Sequence, residues 1–326
     1  MAVLIALLFF FSSFTQVQAL SNPLTGSSGL FNYGKTLELS PPFKELLFEL
    51  RALGLVDYRE ELTLLEVSEL LQKPLGEGGL FRRKGEERWE MDSLHLTSEE
   101  RKKLTLLLSE LGFIEESREI IDHHFSHVVI FGARAERMEY RLLKTLQFFE
   151  EEGFIGDQFF LLGSARPLID EEVQFLENKI VNFPLEEQDA WRDFLFSKPT
   201  EGTAALLLWE LHAPPELAPL GLLLEAETIP HGSKRPTSNE TIEMLLPFVG
   251  ECATFFSLSE QPYLRLSDLL RIIVLKDKGD LFSKNFHFSY YHPKLVSPEH
   301  IEVVLDEVAR NTYLTTEIFK SSLRVP

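Results

Sequence analysis

The sequence predicts an α/β protein: three layers, α/β/α, built on a mostly parallel sheet, with a helical layer on the N-terminal side. Three observations predict it. First, three short apolar runs end alike: His127–Phe131 before Gly132-Ala133-Arg134, Gln158–Leu162 before Gly163-Ser164-Ala165-Arg166, and Ala253–Leu258 before Ser259-Glu260. Each is rich in β-branched or aromatic residues and leads into helix-like sequence, as strands buried on both faces do. Second, strand-like and helix-like segments alternate from His127 onward, which implies parallel strands with helices on both faces. Third, no internal period of roughly 20–50 residues repeats, which excludes a solenoid.

The elements follow in chain order. Val3 to Phe14 is almost wholly apolar and shorter than the roughly 20 residues of a typical membrane-spanning helix. Val17-Gln18-Ala19 places small residues where a signal peptidase reads them, so residues 1–19 are expected to be a secretory signal cleaved after Ala19. An uncleaved membrane anchor and a mis-assigned start are the alternatives. Residues 20–40 are expected to be a linker, because Ser21 to Lys35 is rich in Gly, Ser and Asn. Residues 41–120 form the helical region. Pro41-Pro42 opens a helical stretch with Leu46, Leu47, Leu50, Leu53 and Leu55 on one face. Leu62 to Leu71 is a second periodic stretch, and Gly76 to Glu90 is a loop or short hairpin. Thr97 and Glu100 have the spacing of a capping box, ahead of a stripe of Leu104, Leu107, Leu108 and Leu111.

Residues 121–326 carry the α/β domain. Strand 127–132 precedes helix 134–151, and strand 158–163 precedes helical sequence to about residue 211. Leu220 to Thr228 is the third strand. Helix 238–246, strand 252–258 and helix 264–274 follow, then a strand from Lys284 to Tyr291 and a closing helix from Pro298 to Arg310. Cys252, the one cysteine, is expected to be a buried small hydrophobe and excludes an internal disulfide.

The formal net charge of -19 excludes a general nucleic-acid binder, since no excess of cations is present to neutralise phosphates. It also disfavours adsorption to anionic lipid, so membrane contact is expected only if the N-terminal segment stays uncleaved. Parallel strands carry ligands at their C-terminal ends. Arg134, Arg137 and Arg141 lie on one side at the start of a helix, where positive charge opposes the helix dipole unless an anion sits nearby. The anion is either a ligand's phosphate or carboxylate, or Glu136 and Glu139 of the same helix. Arg166 before Pro167, and Arg235 before Pro236, are basic residues biased to extended backbone near strand ends. Arg166→Ala is therefore expected to weaken ligand binding and leave the fold intact. Thr237 and Glu240 form a capping box, and Thr237 with Asn239 also offers polar groups to a ligand. Glu201 opens a helix, where it either complements the dipole or accepts a hydrogen bond from a sugar or other hydroxyl.

Asp122, His123, His124 and His127 lack a distant partner cluster, so no metal site is expected. No Gly-x-Gly-x-x-Gly, no phosphate loop and no Gly-x-Ser-x-Gly elbow is present. Ser164 follows Gly163 without the downstream Gly.

The order of these motifs resembles the envelope-associated family of unknown function that includes YdcF, SanA and ElyC, over roughly residues 126 to 275. Arg137 or Arg141 looks like that family's first-helix Arg, Gly163-Ser164 like its Ser-Gly-Gly turn, and Glu201 like its acidic helix start. Thr237 to Glu240 resembles its Thr-x-Glu-Asn, with the last two types inverted. Ser259 and Arg265 match its Ser-x-x-His-x-x-Arg, with Pro262 in the His position. The resemblance implies a Rossmann-like fold, an envelope or periplasmic location, and binding of a phosphorylated or nucleotide-like ligand. The cofactor is unknown.

Two functions follow as expectations. In one, Arg134, Arg137, Ser164, Arg166, Glu201, Arg235, Thr237, Asn239, Glu240, Ser259 and Arg265 hold a small anionic ligand, with Glu201 or Glu260 as base if a reaction occurs. In the other, the chain is a non-enzymatic interaction protein with a degenerate site, and the acidic helical layer binds a protein partner. A nucleotide-dependent transferase rests on fold class alone.

Overall fold

The computed structural model describes residues 30–33, 37–81, 93–227, 229, 236, 238–260, 265–278, 285–293 and 301–322. The expected signal segment, Arg235 and Thr237 lie outside them, as do residues 20–29 and 34–36 of the expected linker. Among the described residues, no helix is long and apolar enough to cross a membrane.

The last part of the stretch read as linker is paired backbone. β1 (Phe31–Tyr33) and β2 (Leu37–Leu39) are antiparallel, and Leu30 and Phe31 are buried. Three helices follow: α1 (Pro41–Ala52), α2 (Leu64–Leu71) and α3 (Ser98–Glu110). Ser40 caps α1 through the Phe43 N–H, and Thr63–Glu66 and Thr97–Glu100 form reciprocal capping boxes that start α2 and α3.

The chain then enters the main sheet with β3 (Ser117–Glu119) and β5 (His127–Phe131), while β4 (His124–Phe125) between them belongs to a separate two-stranded sheet. Helix α4 (Ala135–Glu152), β6 (Ile155–Gly156) and β7 (Phe159–Ser164) follow. Helices α5 (Asp170–Ile180), α6 (Leu185–Ser197) and α7 (Glu201–His212) lead to β8 (Gly221–Ala226). The short α8 (Ser238–Glu243), then β9 (Ala253–Leu258), α9 (Arg265–Lys278), β10 (Phe286–His292) and α10 (Ile301–Ser322) complete it.

The main sheet has the order β3-β10-β9-β5-β7-β8. Only β3 runs antiparallel; every other neighbouring pair is parallel. The chain builds outward from β5 to β7 and β8, then crosses back to lay β9 and β10 on the other side of β5. The direction of winding therefore reverses between β5 and β9, which is where open α/β sheets take ligands beyond the strand C-termini.

Alternation along the strands explains why the runs are apolar without a break. Val128, Ile130, Phe159, Leu161, Phe256 and Leu258 face a core shared with α4, α5, α6 and α7. Val129, Phe131, Phe160, Leu162, Phe255, Phe286 and Phe288 face the opposite core, shared with α8 and α9. A strand covered on both faces has no solvent side, so the period of two vanishes from its hydropathy. The fold is thus the expected three-layer α/β arrangement. The helical region has its own core, in which Phe43, Leu46, Leu47, Val67, Leu71 and Leu108 pack with Ile301, Val304, Leu305 and Val308 of α10.

Two expectations need correction. Cys252 is exposed, because β9 starts one residue later, at Ala253, and the turn before it faces solvent. The closing helix extends well past Arg310 to Ser322. Thr312 and Thr316 weaken the helical pattern in the sequence, but their hydroxyls donate to the carbonyls of Val308 and Thr312 four residues back.

Candidate functional site

Four strand ends converge on one edge of the sheet. β5 ends at Phe131 and runs into Gly132, β7 ends at Ser164, β8 at Ala226, and β9 at Leu258, just before Ser259-Glu260. Between the first two lies a hydroxyl–carboxylate pair. Ser164 Oγ donates to Glu201 at the start of α7, and the Arg166 N–H lies 3.4 Å from Ser164 Oγ. Glu201 reaches this point because its own N–H donates to Arg166 O at 3.0 Å, tying the end of β7 to the first turn of α7.

Two glycines make room. A Cβ on Gly163 would lie 2.7 Å from Gly202 Cα, and one on Gly132 would lie 2.8 Å from Glu201 Oε1. A side chain at Gly163 would have to move β7 away from α7, and one at Gly132 would meet the Leu162 carbonyl oxygen of β7 at 2.5 Å as well as Glu201. α7 is capped by Thr200, whose Oγ1 accepts from the Thr203 N–H and donates to Glu225 Oε1 at 2.6 Å. Lys198 pairs with the other Glu225 oxygen. That hydrogen bond holds the Lys198 pKa above its ordinary value. Glu201 and Glu225 thus flank one helix start, Glu201 bonded to a hydroxyl and Glu225 to a hydroxyl and an ammonium.

The switch point between β5 and β9 is filled from within. Glu260 is fully buried, and both its oxygens meet the Arg141 guanidinium, Oε1 at 2.9 Å from Nη2 and Oε2 at Nε. Arg141 Nη1 also donates to the carbonyls of Phe131 and Gly132, at 2.9 and 2.8 Å. Arg137 Nε reaches Glu260 Oε1 at 3.0 Å. The sequence offered Glu136 and Glu139 as partners for this arginine face. For Arg137 and Arg141 the partner is Glu260, and Glu139 turns to Lys179 and His212.

The start of α4 has a second internal anion. Buried Glu172 accepts from the Ala135 N–H at 3.0 Å and the Ile169 N–H at 3.2 Å, and takes both terminal nitrogens of Arg166 at 2.8 Å. Burial works to raise the Glu172 pKa, but the Arg166 hydrogen bonds and charge, with the backbone donors, outweigh it and hold the carboxyl below its ordinary value. Arg166 therefore lies at the sheet edge, as Pro167 implied, but bound to the protein's own carboxylate.

Ser259 belongs to a buried polar knot. Its Oγ lies 2.9 Å from His292 Nδ1 and 3.4 Å from Ser267 Oγ, and Ser257 Oγ donates to Ser267 Oγ at 2.8 Å. Among the expected contacts, then, Ser164, Arg166 and Glu201 come together, and Arg137 and Ser259 flank Glu260. Arg134 is the exposed N-cap of α4. Asn239 and Glu240 lie on α8, which packs against β7 and β8. Arg265 is the first residue of α9.

Sequence reasoning missed Glu172, Glu225 and His292. Glu225 lies inside an apolar strand, a signal that was available. Glu172 is one of three consecutive acids, and nothing in the sequence singles it out. Comparison of the chain with protein-family models, curated proteins and solved structures gave no match.

Proposed function

We propose that this chain binds a small phosphorylated or nucleotide-like molecule at the C-terminal edge of its parallel sheet, and that it does so as a YdcF/SanA/ElyC-like protein of the cell envelope. The observation that carries the reading is the Ser164–Glu201 pair between two strand ends cleared by Gly132 and Gly163. A carboxylate that accepts a serine hydroxyl can accept a ligand hydroxyl in the same way, and Ser164 can donate and accept at once. Arg134 and Arg137, exposed at the rim, supply charge for the anionic end. Charge-assisted hydrogen bonds contribute about 1.5–3 kcal/mol each, so two or three suffice for micromolar affinity in a preorganised site.

The test is a thermal-shift and calorimetric screen of nucleoside phosphates and sugar phosphates against the protein, Ser164→Ala and Glu201→Gln. Saturable stabilisation that weakens about tenfold in both variants, the effect of losing one good hydrogen bond, is the expected result. A flat response to every compound in folded protein would overturn the reading.

A second reading, an interaction protein with a degenerate site, is favoured by one observation: Arg141 and Arg166 already hold internal carboxylates. A partner that co-purifies with the full chain, and is lost when residues 36–118 are deleted, would favour it.

A further inference from the structure

We propose that Glu260 is an internal counter-anion standing in the switch-point crevice, and that a phosphate monoester binds there by taking Arg137 away from it. The inference rests on the ligand-binding reading above and adds to it a competitor built into the chain.

The geometry separates the two arginines that share this carboxylate. Arg141 is fixed: its side chain is 3% exposed, and it is held by both Glu260 oxygens and by two backbone carbonyls at the end of β5. Arg137 is the exchangeable one: its side chain is 44% exposed, against 3% for Arg141, and its Nε lies 3.0 Å from Glu260 Oε1. The two are one helical turn apart on α4, so they face the same point. That point is where the winding of the sheet reverses and where an α/β protein of this topology takes a ligand.

A fully buried carboxylate is costly to desolvate and is not needed for stability, since a well-packed apolar pair of similar volume serves as well. Its placement is explained if the crevice must stay electrostatically satisfied when no ligand is bound. An incoming anion then has to outcompete Glu260 for Arg137, while Arg141 keeps its partner and the sheet edge keeps its shape. Competition with a monoanionic carboxylate favours a dianion, which is why a phosphate monoester is the matching class and a simple carboxylate is not.

The test uses inorganic phosphate as the probe, titrated at constant ionic strength into the full chain and followed by phosphorus NMR line width and thermal shift. Glu260→Gln keeps the shape of the side chain and removes its charge. It is expected to bind phosphate about tenfold or more tightly than the parent, one charge-assisted contact's worth. Adding Arg137→Ala is expected to abolish that gain. Equal affinity of parent and Glu260→Gln would overturn the proposal. So would a gain that survives Arg137→Ala, because the phosphate would then merely be serving an orphaned Arg141. Should Glu260→Gln fail to fold, Glu260→Asp keeps a charge for Arg141 while drawing back from Arg137; tighter phosphate binding is again expected, and unchanged binding overturns the proposal. The two readings fail separately. A chain that binds nucleoside phosphates through Ser164 and Glu201 but gains nothing in Glu260→Gln loses only the competitor. A gain in Glu260→Gln with no response to the nucleoside and sugar phosphates loses only the ligand reading.

Discussion

His292 is held neutral by its surroundings, and that has a measurable consequence. The ring is fully buried, with Nδ1 at 2.8 Å from Ser259 O. A carbonyl can only accept, so the proton sits on Nδ1 and Nε2 is left as an acceptor, without a hydrogen-bond partner among the described residues. Burial, helped by the Arg271 charge and opposed by the Ser259 carbonyl, lowers the pKa from 6.5 to about 3. Because the folded pKa lies below the unfolded one, the unfolded chain takes up the proton first. This contribution to stability is complete above the unfolded pKa of 6.5 and is lost as the pH falls towards 3, by up to about 1.4 kcal/mol per pH unit. His292→Asn is expected to flatten the acid limb of a urea-unfolding series between about pH 6 and pH 4; parallel limbs for parent and variant would contradict it. Arg166 teaches the complementary lesson. From sequence, Arg166→Ala should spare the fold. With Glu172 buried beneath it, the substitution leaves an uncompensated carboxylate and is expected to cost about 3–5 kcal/mol in denaturant unfolding. Pro167 announced where Arg166 would lie, but its partner sits in an acidic run of no local distinction, and only packing selects Glu172 from its neighbours.

The helix start at Thr200 shows what a single element contributes to the site. Thr200 caps α7, Glu225 orients the cap from the end of β8, and the close approach of Gly163 to Gly202 sets how far Glu201 reaches. Gly163→Ala is expected to push β7 and α7 apart, to lose about 1–3 kcal/mol as overpacking does, and to break the Ser164–Glu201 hydrogen bond. A crystal structure of the variant with Glu201 unmoved would refute that chain of cause. Elements of this kind were legible in unequal degree. β5, β7 and β9 are readable because both faces are covered and the apolar run is unbroken. α2 and α3 are readable because Thr63–Glu66 and Thr97–Glu100 cap them locally. β3, β4 and β6 are two or three residues long and exist only through their partners, so no periodicity marks them. The site divides likewise: its turns follow from Gly and Pro, whereas the Arg141–Glu260 pair joins residues 119 apart and depends on β9 crossing back to lie beside β5.

The whole molecule is closed by its last helix. α10 supplies Ile301, Val304, Leu305, Val308 and Ala309 to a core otherwise made of residues 30–114. Polar ties reinforce it: Gln72 Nε2 donates to Ala309 O at 2.8 Å, the Leu94 N–H to Glu302 Oε1 at 2.7 Å, and Arg310 lies 5.1 Å over the Phe81 ring. Among the described side chains, α10 gives the sheet's two further cores no fully buried hydrophobic residue, only the partly buried Leu314. The helical core thus depends on contacts spanning more than 200 residues, and those contacts form only when the C-terminal segment is present. Leu305 is fully buried at the centre of that seam, so Leu305→Ala is expected to cost about 2–5 kcal/mol. The loss should be confined. Hydrogen exchange should rise in 41–71 and 98–111 while the strands 127–131 and 253–258 keep their protection, because separately cored units open separately. A uniform rise across helices and strands would mean that the three cores unfold as one, and that the helical region shares the stability of the sheet it accompanies.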